Sequence, residues 1–106
     1  MPIITLTTDL GSRDHYAAVV KGELLKAVPE AVLVDISHDI ASFDIMHGAF
    51  VIKNSYHHFP EGTFHLIGVN TLQEENMAFL IVIKNEYTFI GPDNGIFGLL
   101  WDGELG

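Results

Sequence analysis

The chain has no cysteine, which excludes disulfide frameworks and thiolate metal sites. Cations are scarce: 5 lysines and arginines face 14 aspartates and glutamates in 106 residues, a formal charge of −9. Duplex binding draws its affinity from cations that neutralise phosphates, so nucleic acid is not an expected partner. Long hydrophobic runs are missing too. Met77-Ala78-Phe79-Leu80-Ile81-Val82-Ile83 falls far short of the roughly 20 residues a membrane span needs. Met1-Pro2-Ile3-Ile4-Thr5 opens without a basic region or an apolar segment behind it, so it does not read as a signal peptide, and a cytoplasmic location is expected. Neither Gly-x-Gly-x-x-Gly nor a P-loop is present, and the serines show no nucleophile-elbow pattern. Dinucleotide and triphosphate cradles therefore lack support.

What the chain does have is apolar residues, 48% of the total, enough for a buried core in one domain of this length. Residues 3–7 form a β-rich run that ends in the polar cluster Thr8-Asp9-Leu10-Gly11-Ser12. From Asp14 the period changes: Tyr16, Val20 and Leu24, with Ala17 and Ala27 beside them, predict a helix that packs one face and stops before Pro29. Residues 31–36 are a β-branched apolar run of the kind covered on both faces of a sheet. Ser42 stands in N-cap position ahead of a second helix marked by Ile45, Ala49, Ile52 and Tyr56. Residues 63–69 predict a third strand, 77–84 and 87–90 a hairpin turning at Asn85-Glu86, and 96–101 a further helix after Pro92-Asp93-Asn94-Gly95. The expected fold class is α/β: a Rossmann-like β-α-β-α-β parallel sheet extended by a β-hairpin, in two or three layers. The abrupt tail after Trp101 reads as that of a domain from a longer protein, so residues 1–106 are expected to be its N-terminal α/β domain.

Open α/β sheets bind ligands outside the carboxyl ends of their strands. Three such ends are legible: Thr7-Thr8-Asp9, Asp35-Ile36-Ser37-His38-Asp39 and Val69-Asn70-Thr71. Asp9 can accept hydrogen bonds from both hydroxyls of a ribose diol, or it can satisfy loop amides and cap the next helix; the residues alone leave both open. Asp14 reads as a carboxylate near a helix N-terminus. Asp35, His38 and Asp39 form an acid–histidine–acid cluster that could ligate a metal, or could bond backbone amides across a tight connection. No His-Glu-x-x-His pattern supports the metal, and none is expected. Phe43 can serve the core or stack on a purine.

Thr7-Thr8-Asp9-Leu10-Gly11-Ser12-Arg13-Asp14-His15-Tyr16 followed by Lys21-Gly22 resembles the opening of the S-adenosylmethionine hydrolase (adenosine-forming) and S-adenosylmethionine-dependent fluorinase/chlorinase family. The similarity continues through residues 34–40, 59–63 and 92–95. It implies that Asp9 holds the ribose hydroxyls, that Phe43 walls the sugar or base, and that Asp14 and Tyr16 support the binding loop, with Thr71 beside them. It also implies attack at the ribose 5′ carbon of S-adenosylmethionine, no cofactor, and a homotrimer of longer chains with sites between subunits. One departure stands out. Where hydrolase members carry Asp-Pro-Gly-Val-Gly and a following arginine, this chain has Asn70-Thr71-Leu72-Gln73-Glu74-Glu75-Asn76, and Arg13 is its single arginine. Asn70 can orient a water but cannot take its proton. Three readings follow: a hydrolase with altered water positioning, a non-catalytic S-adenosylmethionine or adenosine-binding module, and a metal-dependent hydrolase using Asp9, Asp35 and His38. The acidic residues beside Asn70 argue against a halide pocket.

Overall fold

The computed structural model describes residues 1–42, 44–69 and 78–101. Its elements run β1 (Ile3–Thr8), α1 (Tyr16–Ala27), β2 (Val32–Ser37), α2 (Ile45–Ser55) with a single 3-10 turn (Tyr56–His58), β3 (Phe64–Gly68), β4 (Phe79–Lys84), β5 (Tyr87–Pro92) and α3 (Ile96–Trp101). The five strands make one sheet in the order β2-β1-β3-β5-β4. Three of its four pairings are parallel; β4 runs antiparallel to β5 at one edge. This is the expected α/β architecture, with the hairpin folded so that its second strand, β5, takes the inner place.

The register assigns the two faces. Thr5 pairs His65 and Thr7 pairs Ile67, while His65 pairs Phe89, so these side chains share one face. Over it Ala49 and Ile52 of α2 meet Ile96, Phe97, Leu100 and Trp101 of α3 in the main core. On the other face Ile4, Phe64, Leu66 and Ile90 lie beneath Leu24 and Val28, leaving an open apolar groove of about 350 Å³. With α1 on one side and α2 with α3 on the other, the sandwich has three layers. The helix placement is what right-handed crossovers demand, because the chain moves from β1 outward to β2 and then back across β1 to β3.

Local chemistry explains most boundaries. The backbone N–H of Val28 closes α1 on Leu24 O just before Pro29. At the β4–β5 turn Asn85 (φ 55°) and Glu86 (φ 69°) are both left-handed, the backbone of a tight two-residue hairpin. Three expectations need correcting. The N-cap of α2 is Asp44, not Ser42: its carboxylate accepts from His47 N at 2.9 Å, the reach an N-cap needs. Tyr16 does not join the buried stripe of α1; it is exposed, while Ala17 is the buried residue of that turn. Finally, β2 is an edge strand with no fully buried residue: Leu33 and Val34, on opposite faces, are both only half-buried, so its apolar run is partly covered on each face rather than enclosed. The opposite edge is equally open, with Phe79, Ile81 and Ile83 exposed along β4.

Candidate ligand site at the sheet rim

The strand order creates the site. Strand β1 has its sequence successor β2 on one side, and β3 has β5 and β4 on the other, so the order reverses between β1 and β3, and the carboxyl ends at such a switch point are the usual ligand position in these sheets. Asp9 stands there as the first residue after β1. Its N–H donates to Gly68 O at the end of β3 at 3.3 Å, while the carbonyl of Thr8 accepts from Ile40 N at 3.2 Å on the other side. The β1 rim is thereby stitched to both neighbours through backbone groups. Gly11, in a left-handed conformation (φ 84°) that favours glycine, donates its N–H to His38 O at 2.6 Å. Ser12 adds a side-chain clasp, its N–H and hydroxyl both donating to the Asp39 carboxylate at 3.1–3.2 Å.

Behind this rim runs a chain of side chains on the α1 face. Thr8 Oγ1 lies 2.7 Å from His38 Nδ1, His38 Nε2 lies 2.8 Å from Asp35 Oδ1, and Lys21 Nζ donates to Asp35 Oδ2 at 2.9 Å. The β1–β2 register explains the meeting. Leu6 pairs Asp35 but Thr7 pairs Ser37, so one extra residue, Ile36, is accommodated in β2 and the strand end swings over Thr8. Thr8 and His38 are buried, whereas Asp35 and Lys21 are partly exposed. Lys21 first and His38 second hold the Asp35 carboxyl below the usual carboxylate range.

The fourth rim comes from β5. Asn94 donates from Nδ2 to Val69 O at 2.9 Å, and its Oδ1 accepts from Ile96 N at 3.2 Å. It therefore closes an Asx turn onto the first residue of α3 and ties that turn to the end of β3, directly before Asn70. Sequence reasoning recognised this turn but gave Asn94 no role; the signal was an Asn-Gly pair just before a helical run, where an asparagine side chain can bond the amide two residues on.

Of the six expected site residues, Phe43, Asn70 and Thr71 lie outside the described residues. Asp9 is at the rim and half-buried; Asp14 and Tyr16 are exposed on the approach to α1. Asp14 precedes that helix rather than sitting in its first turn, where no acidic residue is found. The acid–histidine–acid cluster divides its work. Asp39 bonds a backbone amide as expected, but Asp35 bonds Lys21 and His38 instead. Both ring nitrogens of His38 are thus engaged, which leaves it no lone pair to offer a metal. Among the described residues no group of three histidine, aspartate or glutamate side chains is arranged to hold one.

Comparison with known proteins fits this architecture. The chain is 37% identical over 101 residues to a (R)-S-adenosyl-L-methionine hydrolase of Methanocaldococcus jannaschii, an alignment covering 92% of this chain and 38% of the relative. It is 39% identical over 62 residues to a fluorinase of Actinoplanes sp., covering 58% of this chain and 21% of that one. A solved structure of a conserved protein from Thermus thermophilus superposes with a TM-score of 0.79 at 32% identity, over 95% of this chain and 42% of the other. This chain therefore spans well under half the length of the proteins it matches. The family model described as the SAM hydroxide adenosyltransferase N-terminal domain matches residues 4–105, and the chain belongs to that family.

Proposed function

We propose that this chain is the nucleoside-gripping domain of an S-adenosylmethionine hydrolase. The observation that carries the reading is the position of Asp9: a half-buried residue at the β1–β3 switch point, its backbone bonded to Gly68, in a sequence without a phosphate-binding glycine motif. A ribose diol offers two donors to such a carboxylate, and each pairing is charge-assisted. In the reaction, a water oxygen forms a bond to the ribose 5′ carbon as the bond to the sulfonium sulfur breaks. The electron pair returns to sulfur, methionine leaves neutral, and the attacking water gives up a proton to yield adenosine. A neutral leaving group needs no general acid, so the protein's task is to hold the sugar and place the water.

Asn70 in place of an acid favours a second reading, a module that binds S-adenosylmethionine or adenosine without turnover. The assembly that accompanies the first reading is a homotrimer of the longer polypeptide, with the rim completed by a neighbour. The 106-residue chain alone is expected to bind weakly and not to turn over.

Calorimetric titration of the chain with adenosine and with S-adenosylmethionine, with chromatography for released adenosine, is the test. Saturable binding that weakens about tenfold or more in Asp9→Asn, for loss of a charge-assisted hydrogen bond, is the expected result. Absence of saturable binding, or binding indifferent to Asp9→Asn, would overturn the adenosyl reading. Release of adenosine by this chain would overturn its expected inactivity and retire the module reading.

A further inference from the structure

We infer that His38 is a positioning residue for the ribose-binding rim, acting through the Thr8 hydroxyl. The inference rests on the Asp9 reading above and extends it to residues that do not touch the nucleoside. A carboxylate can only accept, so the His38 nitrogen facing Asp35 Oδ1 at 2.8 Å carries the ring proton. In the neutral ring Nδ1 is then an acceptor, and Thr8 must donate its single hydroxyl proton to it across 2.7 Å. The Thr8 oxygen is left as an acceptor, and it takes the N–H of Leu10 at 3.3 Å. One hydroxyl thus receives the amide two residues ahead while being oriented by the imidazole behind it. Asp9 lies between those two points.

Packing removes the remaining freedom of Thr8. A β-carbon built on Gly68 would approach Thr8 Cγ2 to 3.2 Å, so the glycine makes the room in which the Thr8 methyl sits. With its methyl against Gly68 and its hydroxyl on His38, the Thr8 side chain has one rotamer available. The turn Thr8-Asp9-Leu10 inherits that rigidity. Asp35 fixes the tautomer, Lys21 fixes Asp35, and the whole chain is braced against α1. This is how a carboxylate on a loop is held in a productive orientation: by a buried supporting hydrogen bond one layer back.

The test compares adenosine with 2′-deoxyadenosine, which lacks one of the two hydroxyls. The wild-type chain is expected to prefer adenosine by about tenfold or more, the worth of one charge-assisted hydrogen bond. His38→Leu and Thr8→Val each remove the link from a different end and are expected to cut that preference below about threefold. His38→Asn, whose side-chain oxygen can stand where Nδ1 stood, should restore it; a residue that merely filled space would be replaced better by leucine. A wild-type chain indifferent to the 2′ hydroxyl would overturn the Asp9 reading and this one with it. A preference kept in both His38→Leu and Thr8→Val would overturn only the positioning role. Should both variants fail to fold, the ring ¹⁵N shifts of His38 in the wild-type chain decide: a proton on Nε2 with Nδ1 bare supports the relay, and a proton on Nδ1, alone or with one on Nε2, overturns it.

Discussion

Acid should weaken this fold through His65, and the size of the effect follows from its surroundings. The ring is 1% exposed. It stacks on Phe89 at 5.1 Å and is enclosed by Tyr56, Phe59 and Tyr87. Thr5 Oγ1 is 2.6 Å from Nδ1, while Nε2 makes no hydrogen bond among the described residues. The rings packed around it are all uncharged. Burial therefore lowers the pKa of His65 from 6.5 to about 4, with the nearby Tyr56 backbone opposing only in part. The unfolded chain takes up this proton near pH 6.5 and the folded chain does not, so stability is lost as pH falls from 6.5 toward 4 and the loss levels off below that. The linkage gives a loss of about 2 kcal/mol between pH 7 and pH 5, rising to roughly 3 kcal/mol once both states are protonated.

Trp101 is the chain's single tryptophan and lies 4.8 Å from Phe89, so its fluorescence reports on this cluster. Urea titrations at pH 7, 6 and 5 should be run on the wild-type chain and on His65→Phe combined with Thr5→Val. The second substitution prevents an orphaned hydroxyl, which would add a cost of its own. Every other titrating group is common to both proteins, so the difference between their pH dependences isolates His65. The wild type should lose about 2 kcal/mol more than the variant from pH 7 to pH 5. Parallel pH profiles for the two proteins would refute the argument, because a buried neutral ring cannot lack that linkage.

Three further substitutions probe the frame that holds the rim. Glu86→Gly should stabilise the chain by about 1 kcal/mol, since a left-handed non-glycine residue carries roughly that strain, and the Glu86 carbonyl that accepts from Gly62 N at 2.7 Å is kept; an unchanged urea midpoint would refute it. Gly91→Ala should destabilise by about 1–3 kcal/mol through overpacking, because its β-carbon would lie 3.0 Å from Ile67 Cβ and 3.2 Å from Phe97; thermal melting near the wild-type midpoint would show that the core yields more easily than the contacts imply. Asn94→Ala removes the bond from Ile96 N and the bond to Val69 O together and should cost about 1–2 kcal/mol, with weaker adenosine binding by calorimetry; a variant unchanged in both would separate the β5 rim from the site.

The order and type of the elements were legible because each rests on nearest-neighbour chemistry. Pro29 stops α1, Asn85-Glu86 turns the hairpin, and the spacing of Ile45, Ala49 and Ile52 marks the buried side of α2. The misreadings share a different origin. Whether residues 31–36 lie inside the sheet or at its edge depends on which strands flank them, and periodicity along one strand carries no such information. Ser42 and Asp44 are both good caps, and the choice between them is made by where α2 must start to set Ala49 against the sheet.

At the rim, convergence of Asp9 with the β2 and β3 ends could be deduced from alternation alone, since parallel strands must end on one side. The relay from Thr8 to Lys21 could not. It requires the extra residue at Ile36, which turns His38 onto the same face as Thr8 and Asp35; without that shift, Asp35 and His38 would point to opposite faces of the strand. A metal-ligand reading of Asp35 and His38 is reasonable from spacing, yet the same irregularity that brings them together also commits both ring nitrogens to protein partners. The histidine's chemistry at this site is thus set by a one-residue slip in strand pairing, and it is the slip that converts a candidate ligand into a brace for the carboxylate beside it.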